Sequence, residues 1–475
     1  MIDLQRDSVP DCAPAPPTLL ERIGRKLAQR LSWRASRSRH PRLTLVSQYF
    51  PPDFAATGQL LDDLTVRLAA EGLQVQVLTG MPAYAFNAHN AKRIEFEPSR
   101  CIRRTGASRF WPQRIRGRAI NGILFCLRSS LRLLRYSRRG DLILYTTEPP
   151  YLPLLGWLVH RLTRTPYLVL LYDLYPDVLV ELGVLPASHP LVRLWSQLNR
   201  WVFADAQELI VLSEPMAERV RRQVPAAASK LSVIPSWADP TAIRPRAKAD
   251  NWFVQKHRLQ DRFVVLYSGN QGRCHDLVTV LASAMLLRHE PEVVFLFIGK
   301  GPQHQRMRNL VKDWALPNCE FLPYQEFDDL PYSLAAADLA LVTLSIEAEG
   351  LVAPSKLYGH LAAGTPIAAV TPAQSYIAEL VEAEGCGRWF ANGDAEGLAG
   401  WIRELHHNPS HARACGRAAR ALLERSATPE LVCAQYLALI EAHLPDHKPL
   451  APPVPAARSA PVALDVGSVV GALPS

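Results

Sequence analysis

The strongest constraint on the fold is a pattern that occurs twice, in which short apolar segments alternate with longer segments of helical period. In the first half of the chain the predicted strands are 43–47, 75–78, 141–145, 167–172 and 209–212. In the second half they are 263–267, 293–298, 320–322, 339–343 and 367–370. Strands that alternate with helices form a parallel sheet covered on both faces. The sequence therefore predicts an α/β protein with two Rossmann-like, doubly wound domains that face a central cleft.

The two repeats are separated by a stretch bracketed by Pro235 and Pro240, a composition typical of a linker. The full length of 475 residues suits such a two-domain chain. The predicted organisation is a basic, partly disordered N-terminal extension (1–41), a first domain (42–235), a linker (236–250), a second domain (251–428), a C-terminal helix (429–445) and a disordered tail (446–475).

Basic residues are concentrated in the first third of the chain. Residues 1–140 hold 24 Lys and Arg against 10 Asp and Glu, whereas the remainder holds 29 against 34. Two runs without acidic residues, 22–42 and 100–139, carry eight and twelve basic residues. Such runs favour an anionic partner, which is a nucleic acid, a membrane surface or a phosphorylated substrate. A solvated basic face is the alternative.

Neither a membrane-spanning helix nor a signal peptide is predicted. No segment reaches the roughly 20 uninterrupted apolar residues that span a bilayer. The first 40 residues carry prolines and arginines where a signal peptide has its apolar core. The eight cysteines are scattered without a CxxC pair, so we expect neither a disulfide framework nor a zinc site. These features predict a cytoplasmic protein.

Small residues cluster directly after two predicted strands of the second domain. The loops after strands 263–267 and 293–298 contain Gly269, Asn270, Gly272, Arg273, Gly299 and Gly301. Glycine allows the backbone to approach a phosphate closely, and an arginine supplies charge beside it. Two such loops at strand ends predict a nucleotide pocket.

A third motif lies in segment 347–366. Pro354 and Ser355 are typical of a helix start, so Ser355 and Lys356 fall in the first helical turn. Backbone N–H groups, a hydroxyl and an ammonium group converge there, which suits a diphosphate. Glu347 and Glu349 lie upstream, where a carboxylate can accept hydrogen bonds from sugar hydroxyls. Plain surface solvation is the alternative for both glutamates.

The loop after the first predicted strand, 48–58, ends at Gly58, where a helix is predicted to begin. The N-terminus of a helix favours an anion. The loop lacks a GxGxxG pattern, which disfavours NAD or FAD binding. A tight-turn role is the alternative for Gly58.

Five segments together resemble one known family. They are PSKLYGHLAAGTP, YSGNQGRCHDL, FIGKGP, FLPYQEFDDLPYSLAAADLALV and SQYFPPDFAATGQLLDDL. They are similar to the retaining nucleotide-sugar glycosyltransferases of family 4, and more narrowly to the bacterial branch that builds cell-surface polysaccharides, such as the colanic acid and O-antigen fucosamine transferases. The resemblance covers residues 43–440 or so. It implies the GT-B fold, a nucleotide sugar as co-substrate and no cofactor or metal.

The resemblance also implies roles for individual residues. The second domain would bind the donor diphosphate through the glycine loops, Ser355 and Lys356, with Arg273 and Lys356 stabilising the leaving phosphate. The acceptor would lie against the first domain, near Gly58 and the loop that follows strand 167–172. The residues implied on that loop are Tyr172, Asp173, Tyr175 and Asp177, with Asp173 or Asp177 orienting the acceptor.

Two positions depart from the wider family. The second carboxylate of its Glu-x7-Glu pair falls at Gly359, and the histidine that precedes the first-domain aspartate falls at Tyr172. The contact to the donor ribose is therefore unassigned. Either Glu347 or Glu349 takes the place of the first family glutamate, and Glu349 is favoured as a catalytic residue because Gly350 follows it.

Segment 119–136 has apolar residues at helical spacing, with Arg128, Arg132 and Arg135 between them. A buried helix with an arginine edge would give this pattern, and so would an interfacial helix on anionic lipid. Stretch 19–33 has the same character. If the acceptor is linked to polyprenyl diphosphate, both runs would hold the enzyme on the cytoplasmic face of the inner membrane.

Two other functions are compatible with parts of the sequence. Nucleic-acid binding would require aromatic residues interleaved with the arginines, and residues 100–135 contain only three aromatic residues. We therefore expect no nucleic-acid partner. A sugar-nucleotide epimerase on the same two-domain fold is the alternative enzyme class.

Overall fold

The structure is a computed structural model of the whole chain, and it describes residues 42–53, 56–82, 91–106, 115–137 and 140–444. The predicted N-terminal extension, with most of basic run 22–42, and the predicted tail 446–475 lie outside the described residues.

The described part of the first domain contains an eight-stranded sheet in the order β3-β4-β2-β1-β5-β6-β7-β8. All neighbouring strands are parallel except β3 and β4. The strands are β1 (Arg42–Val46), β2 (Gln74–Thr79), β3 (Ile94–Glu97), β4 (Arg100–Arg104), β5 (Leu142–Thr146), β6 (Tyr167–Leu171), β7 (Glu208–Val211) and β8 (Leu231–Val233). The helices are α1 (Ala56–Ala70), α2 (Ile115–Tyr136), α3 (Leu152–Thr163), α4 (Asp177–Glu181), α5 (Pro190–Asp205) and α6 (Glu214–Gln223).

The second domain has a parallel six-stranded sheet in the order β11-β10-β9-β12-β13-β14 within the described residues. Its strands are β9 (Phe263–Ser268), β10 (Val293–Ile298), β11 (Cys319–Leu322), β12 (Leu339–Thr343), β13 (Ile367–Val370) and β14 (Gly387–Phe390). Its helices are α7 (Trp252–Lys256), α8 (Val278–Leu286), α9 (His304–Asp313), α10 (Leu330–Leu334), α11 (Lys356–Ala363), α12 (Tyr376–Ala383), α13 (Ala395–His407) and α14 (Pro409–Ser426).

The central strands of both sheets are buried along their whole length. This holds for β1, β5 and β6 in the first domain and for β9, β10 and β12 in the second. Continuous apolar strands of this kind result when helices cover both faces of a parallel sheet. The predicted pair of doubly wound α/β domains is confirmed.

The last described helix, α15 (Pro429–His443), returns to the first domain and packs against α1. Val432, Tyr436 and Ile440 contribute to the apolar core of the first domain. Arg67 on α1 forms an ion pair of 2.7 Å with Glu430. The last described helix thereby packs on the first domain.

Some arginines of the two basic runs are buried inside the first domain, which the sequence did not predict. Strand β4 carries Arg100 and Arg104, and both side chains are buried. Arg100 pairs with Asp62 and Glu97, and Arg104 pairs with Glu95. Arg42 on β1 is likewise buried and pairs with Asp141 at 2.6 Å. Arg42, Arg100 and Arg104 therefore do not contribute to an exposed basic surface, because each is buried beside a carboxylate partner.

Each sheet has one point at which the order of the strands reverses direction. In the first sheet this switch point lies between β1 and β5, and in the second it lies between β9 and β12. Ligands of open α/β sheets bind outside the carboxyl ends of the strands at such a point. The two switch points are thus the expected positions of the two substrates.

The two domains touch beside these switch points. Asp173, which follows β6, forms an isolated antiparallel bridge with Val352 in the loop that precedes α11. The N–H of Leu174 donates to the carbonyl oxygen of Leu351 at 3.0 Å. The loop that carries the first-domain aspartate is therefore in direct contact with the segment that leads to Lys356.

Candidate active site

The glycine loops of the second domain are packed backbone against backbone. Gly299 has a φ of +121° and its missing side chain would collide with the carbonyl oxygen of Gly269. A side chain at Gly301 would lie 2.5 Å from the carbonyl oxygen of Gln271. Only glycine permits this approach, so the loops after β9 and β10 form one continuous floor at the carboxyl edge of the sheet.

Lys356 opens helix α11 and points at the loop after β9. Its Nζ donates to the Tyr267 hydroxyl at 2.6 Å and lies 3.3 Å from Nε2 of His275. The Tyr267 hydroxyl in turn donates to the carbonyl oxygen of Asn270 at 2.7 Å. None of the ion pairs in the described residues involves Lys356. Desolvation in this crevice holds the pKa of Lys356 well below its usual value, with Cys274 raising it slightly.

His275 is a site residue that sequence analysis missed. Its Nδ1 lies 2.7 Å from the carbonyl oxygen of Thr343 at the end of β12. This contact assigns the ring proton to Nδ1 and leaves Nε2 as an acceptor toward Lys356. Burial, and then the charge of Lys356, lower the pKa of His275 to about 3. The neutral ring thus joins the loop after β9 to the end of β12 across the switch point.

The other predicted donor-side residues differ in exposure. Ser355 and Arg273 are exposed, beside the start of α11 and on the loop after β9 respectively. Glu347 is exposed on a 3₁₀ turn, Ile346–Ala348. Both carboxylate oxygens of Glu349 are buried and make no hydrogen bond within standard geometry to the described chain. Burial raises the pKa of Glu349, and the nearby Ser375 hydroxyl and Gly350 N–H counter this shift.

On the acceptor side, Gly58 lies in the first turn of α1, under the loop that follows β1. A side chain there would lie 3.2 Å from both the Cα of Phe50 and the carbonyl oxygen of Tyr49. Gly58 therefore allows the helix to begin close beneath this loop.

The structure separates the two predicted aspartates of the loop after β6. Asp173 lies at the contact with the second domain, and burial raises its pKa to about 6. Asp177 begins α4, accepts a hydrogen bond of 2.7 Å from Gln223 and lies 3.6 Å from Arg219 on α6. Asp177 is thus engaged within its own domain, whereas Asp173 adjoins the cleft.

The two predicted tyrosines flank Asp173. Tyr172 is buried, with 8% of its surface exposed, and its N–H donates to the Thr147 hydroxyl. Tyr175 stacks on Trp195 with ring centroids 6.0 Å apart. Both rings pack beneath the loop and fix its path.

Glu148 is a second residue that sequence analysis missed. It follows β5, and its Oε2 accepts a hydrogen bond of 2.8 Å from the Thr57 hydroxyl on α1. Its backbone oxygen accepts from the N–H of Gln48 at 2.9 Å. Burial raises the pKa of Glu148 to about 7, the Thr57 hydrogen bond lowers it, and Asp173 raises it further.

The Cys274 thiol is influenced by charged groups from both domains. After desolvation, the largest influences on the Cys274 thiol are Asp173, which raises its pKa, and Lys356, which lowers it. Cys274 belongs to the donor loop and Asp173 to the first domain. The Cys274 thiol is therefore influenced by one charged group from each domain.

In the described part of the chain, no group of three or more His, Cys, Asp or Glu side chains is arranged to hold a metal ion. The same residues contain no helix long and apolar enough to cross a membrane.

Two family descriptions match the chain, one for each domain. "Glycosyl transferase 4-like domain" matches residues 57–237, and "Glycosyl transferases group 1" matches residues 249–422. The probable glycosyltransferase WbjE of Pseudomonas aeruginosa is 30% identical over 298 residues, which are 62% of this chain and 72% of that protein. The putative colanic acid biosynthesis glycosyl transferase WcaI of Escherichia coli is 25% identical over 414 residues, 82% of this chain and 97% of that protein.

Solved structures share the same architecture. Sucrose-phosphate synthase from Thermosynechococcus elongatus superposes with a TM-score of 0.68 at 20% identity, covering 85% of this chain and 99% of that one. HepE of Anabaena, in complex with UDP and glucose, gives a TM-score of 0.64 at 15% identity, covering 85% and 100%. These likenesses establish the fold.

Two doubly wound domains around one cleft, both matched by glycosyltransferase families, define a glycosyltransferase with the GT-B fold. The chain belongs to the family 4 glycosyltransferases, in the branch that synthesises bacterial polysaccharides.

Proposed function

We propose that this enzyme transfers a sugar from a nucleotide-diphosphate donor, with retention of configuration, to a glycan acceptor linked to polyprenyl diphosphate. The observation that supports it most is Lys356, a lysine without a carboxylate partner among the described ion pairs, at the start of α11 beside the glycine loops. Such a recess suits the two phosphates of a nucleotide sugar. Structures of HepE with UDP-glucose support this class of donor.

In the proposed mechanism each of these side chains has a defined role. The acceptor hydroxyl attacks the face of the sugar from which the diphosphate departs, and charge develops on the leaving phosphate. Lys356, Arg273 and the N–H groups at Ser355 stabilise this charge by preorganised electrostatics. Asp173 orients the acceptor hydroxyl, and Glu349 accepts hydrogen bonds from the donor sugar. No metal or further cofactor is needed in this scheme, since the cationic groups of the chain take its place.

A screen of nucleotide sugars by thermal stabilisation, followed by transfer to a lipid-linked acceptor, tests this proposal. We expect one donor to stabilise the protein and one glycosidic product to form, with its anomeric configuration, measured by NMR, equal to that of the donor. Inversion at the anomeric carbon would contradict the retaining mechanism. Conversion of the nucleotide sugar without any acceptor would instead favour an epimerase.

We also propose that the enzyme lies on the cytoplasmic face of the inner membrane, through helix α2. Helix α2 has apolar residues on a buried face and also on an exposed one. Phe125 and Leu133 are buried against the domain, whereas Ile123, Leu127 and Leu131 are exposed, with Leu131 exposed by 67%. Because α2 carries arginines and no acidic residue, this surface suits anionic lipid.

The neighbouring helices α3 and α5 extend this surface. Helix α3 packs against both α2 and α5. Leu162 on α3 is exposed by 72% and Leu191 on α5 by 60%. Trp201 on α5 is also exposed and stacks on Trp157 of α3. Exposed leucines and tryptophans beside arginines are typical of a helix surface at a membrane interface.

Flotation with vesicles tests the membrane proposal. We expect the full chain to bind vesicles that contain phosphatidylglycerol, in a salt-sensitive manner, and to bind phosphatidylcholine vesicles weakly. Leu131→Glu and deletion of residues 1–40 should each weaken binding, whereas Leu431→Glu, a change of an exposed leucine on α15, should not. Equal flotation with neutral and anionic vesicles would count against the proposal.

A further inference from the structure

The switch point of the first domain holds an acidic crevice. Glu148 lies at the carboxyl end of β5, next to β1 in the sheet, and Thr57 begins the helix that follows β1. The hydrogen bond between Glu148 and Thr57 joins the start of α1 to the segment that follows β5. Asp173 stands at the end of β6, the next strand along.

Both carboxylates retain unused hydrogen-bonding capacity. Glu148 accepts one side-chain hydrogen bond, from Thr57, and no hydrogen bond to the Asp173 side chain occurs among the described residues. Neither carboxylate takes part in any ion pair of the described chain. Both residues are partly exposed.

Residues from α1, from the loop after β6 and from the second domain lie near the two carboxylates. Thr57 approaches from α1, and Tyr172 and Tyr175 lie on the same loop as Asp173. From the second domain, Val352 forms a backbone bridge with Asp173, and the Cys274 thiol is influenced electrostatically by Asp173 and by Lys356. Two ionised carboxylates with no cation between them repel each other, and functional sites are where proteins commonly retain such a cost.

We propose that Glu148 and Asp173 form an acceptor subsite that receives neutral sugar hydroxyl groups and holds the phosphates of the acceptor outside the crevice. This inference rests on the proposed function, and it makes Glu148 a positioning residue for the acceptor. Carboxylate oxygens accept hydrogen bonds from hydroxyl groups, two of which can be held side by side by such a pair. A phosphate in the same place would meet two like charges.

The subsite also sets the direction in which the acceptor lies. Its reacting sugar occupies the crevice between Glu148 and the donor loop, and its lipid diphosphate extends outward. The arginine-bearing surface of α2 belongs to the same domain and carries the opposite charge. The acceptor thus spans from a carboxylate-lined crevice to an arginine-lined surface.

The experiment measures KM for the acceptor and for the donor separately. The acceptor probe is the lipid-linked glycan extracted from a strain that lacks this gene and therefore accumulates it. Glu148→Gln and Asp173→Asn should each raise the acceptor KM about 10- to 100-fold, the loss of one hydrogen bond to a charged group. The donor KM should stay unchanged. Glu181→Gln, which alters an exposed carboxylate on α4, is the matched control.

A second measurement needs no substrate. If Glu148 binds the acceptor and its ionised form destabilises the folded protein, Glu148→Gln should raise the melting temperature at pH 8. A lower melting temperature together with an unchanged acceptor KM would assign Glu148 to the support of α1 and overturn the inference.

The two failures are distinguishable. Absence of transfer by the unmodified enzyme from every donor would overturn the proposed function and this inference with it. Transfer by the unmodified enzyme and by both variants with the same acceptor KM would overturn the inference alone.

Discussion

The two domains share a doubly wound arrangement with one switch point, and they place side chains of opposite charge type beside it. At the switch point of the second domain lies Lys356, held by Tyr267 and His275. At the switch point of the first domain lie Glu148 and Asp173. The fold thus determines where a ligand binds, whereas the side chains at the switch point determine which part of a substrate is bound there.

The two domains also resemble each other in the contacts made across the switch point. In each domain one side-chain contact links the segment that follows the first strand to the carboxyl end of the strand across the switch point. His275 does so through the Thr343 carbonyl oxygen, and Glu148 does so through the Thr57 hydroxyl. Burial shifts the pKa of Lys356 downward and the pKa of Glu148 upward, so both groups are biased toward their neutral forms before substrate binds.

The largest expected effect is on the donor side. Lys356→Ala should lower turnover roughly 10²- to 10³-fold, because it removes one preorganised charge at the leaving phosphate. Steady-state rates with saturating donor and acceptor measure this effect. Lys312→Ala, which alters a lysine at the end of α9, is the control and should retain full activity. An unchanged rate in Lys356→Ala would remove this lysine from the site.

The next effect concerns pH and the acceptor side. The pKa of Glu148 is about 7 in the folded protein and 4.5 in its ordinary state, so the folded chain holds this proton more tightly. Stability from this group is therefore complete below about pH 4.5 and is lost as the pH rises through about 7. The loss amounts to at most about 3 kcal/mol.

Thermal unfolding of the unmodified protein and of Glu148→Gln at pH 5 and pH 8 measures this loss. We expect the variant to gain stability relative to the unmodified protein on going from pH 5 to pH 8, because glutamine does not ionise. If the difference in stability between the two proteins were the same at pH 5 and at pH 8, ionisation of Glu148 would not destabilise the folded protein.

The sequence predicted the elements that depend on local periodicity. The buried strands β1, β6, β9, β10 and β12 were located because each is a short apolar run. Strand β4 was missed, because its arginines hide the apolar pattern and are neutralised by carboxylates on α1 and β3. The placement of Ser355 and Lys356 at a helix start followed from the preceding proline.

Contacts between distant residues could not be predicted in this way. The hydrogen bond between Thr57 and Glu148 joins residues 91 positions apart, and the contact between Lys356 and His275 joins residues 81 positions apart. Helix α2 shows the same limit of local pattern. Its apolar residues occur on two sides, and periodicity alone does not indicate that Phe125 is buried while Leu131 is exposed. The tertiary contacts of α2 with α3 decide this.

A third prediction compares one glycine from each domain. Gly299→Ala should destabilise the protein by about 1–3 kcal/mol, because φ is +121° and a side chain would collide with the backbone of Gly269. Gly58→Ala should cost less, since its side chain would lie at 3.2 Å from its nearest neighbours and a small shift relieves the contact. Gly400→Ala, in the open interior of α13, is the control and should be neutral or stabilising.

Melting temperatures of the three variants test this ranking. If Gly58→Ala proved as destabilising as Gly299→Ala, the acceptor loop would be as rigid as the donor floor, and the contrast between the domains would be limited to charge.

The smallest expected effect is a proton taken up when a nucleotide binds. Free Lys356 has a lowered pKa because its site is desolvated, and the charge of a diphosphate beside it raises that pKa again. Binding of UDP or GDP at pH 8 should therefore be accompanied by uptake of up to about one proton. Calorimetry in Hepes and in Tris, which differ in ionisation enthalpy, measures this uptake. Lys356→Met should abolish it, whereas Glu148→Gln should leave it unchanged because Glu148 belongs to the first domain and the proposed nucleotide site to the second. Equal binding heats in the two buffers for the unmodified protein would mean that Lys356 is already charged, and that only the acceptor domain holds its switch-point group in the neutral form.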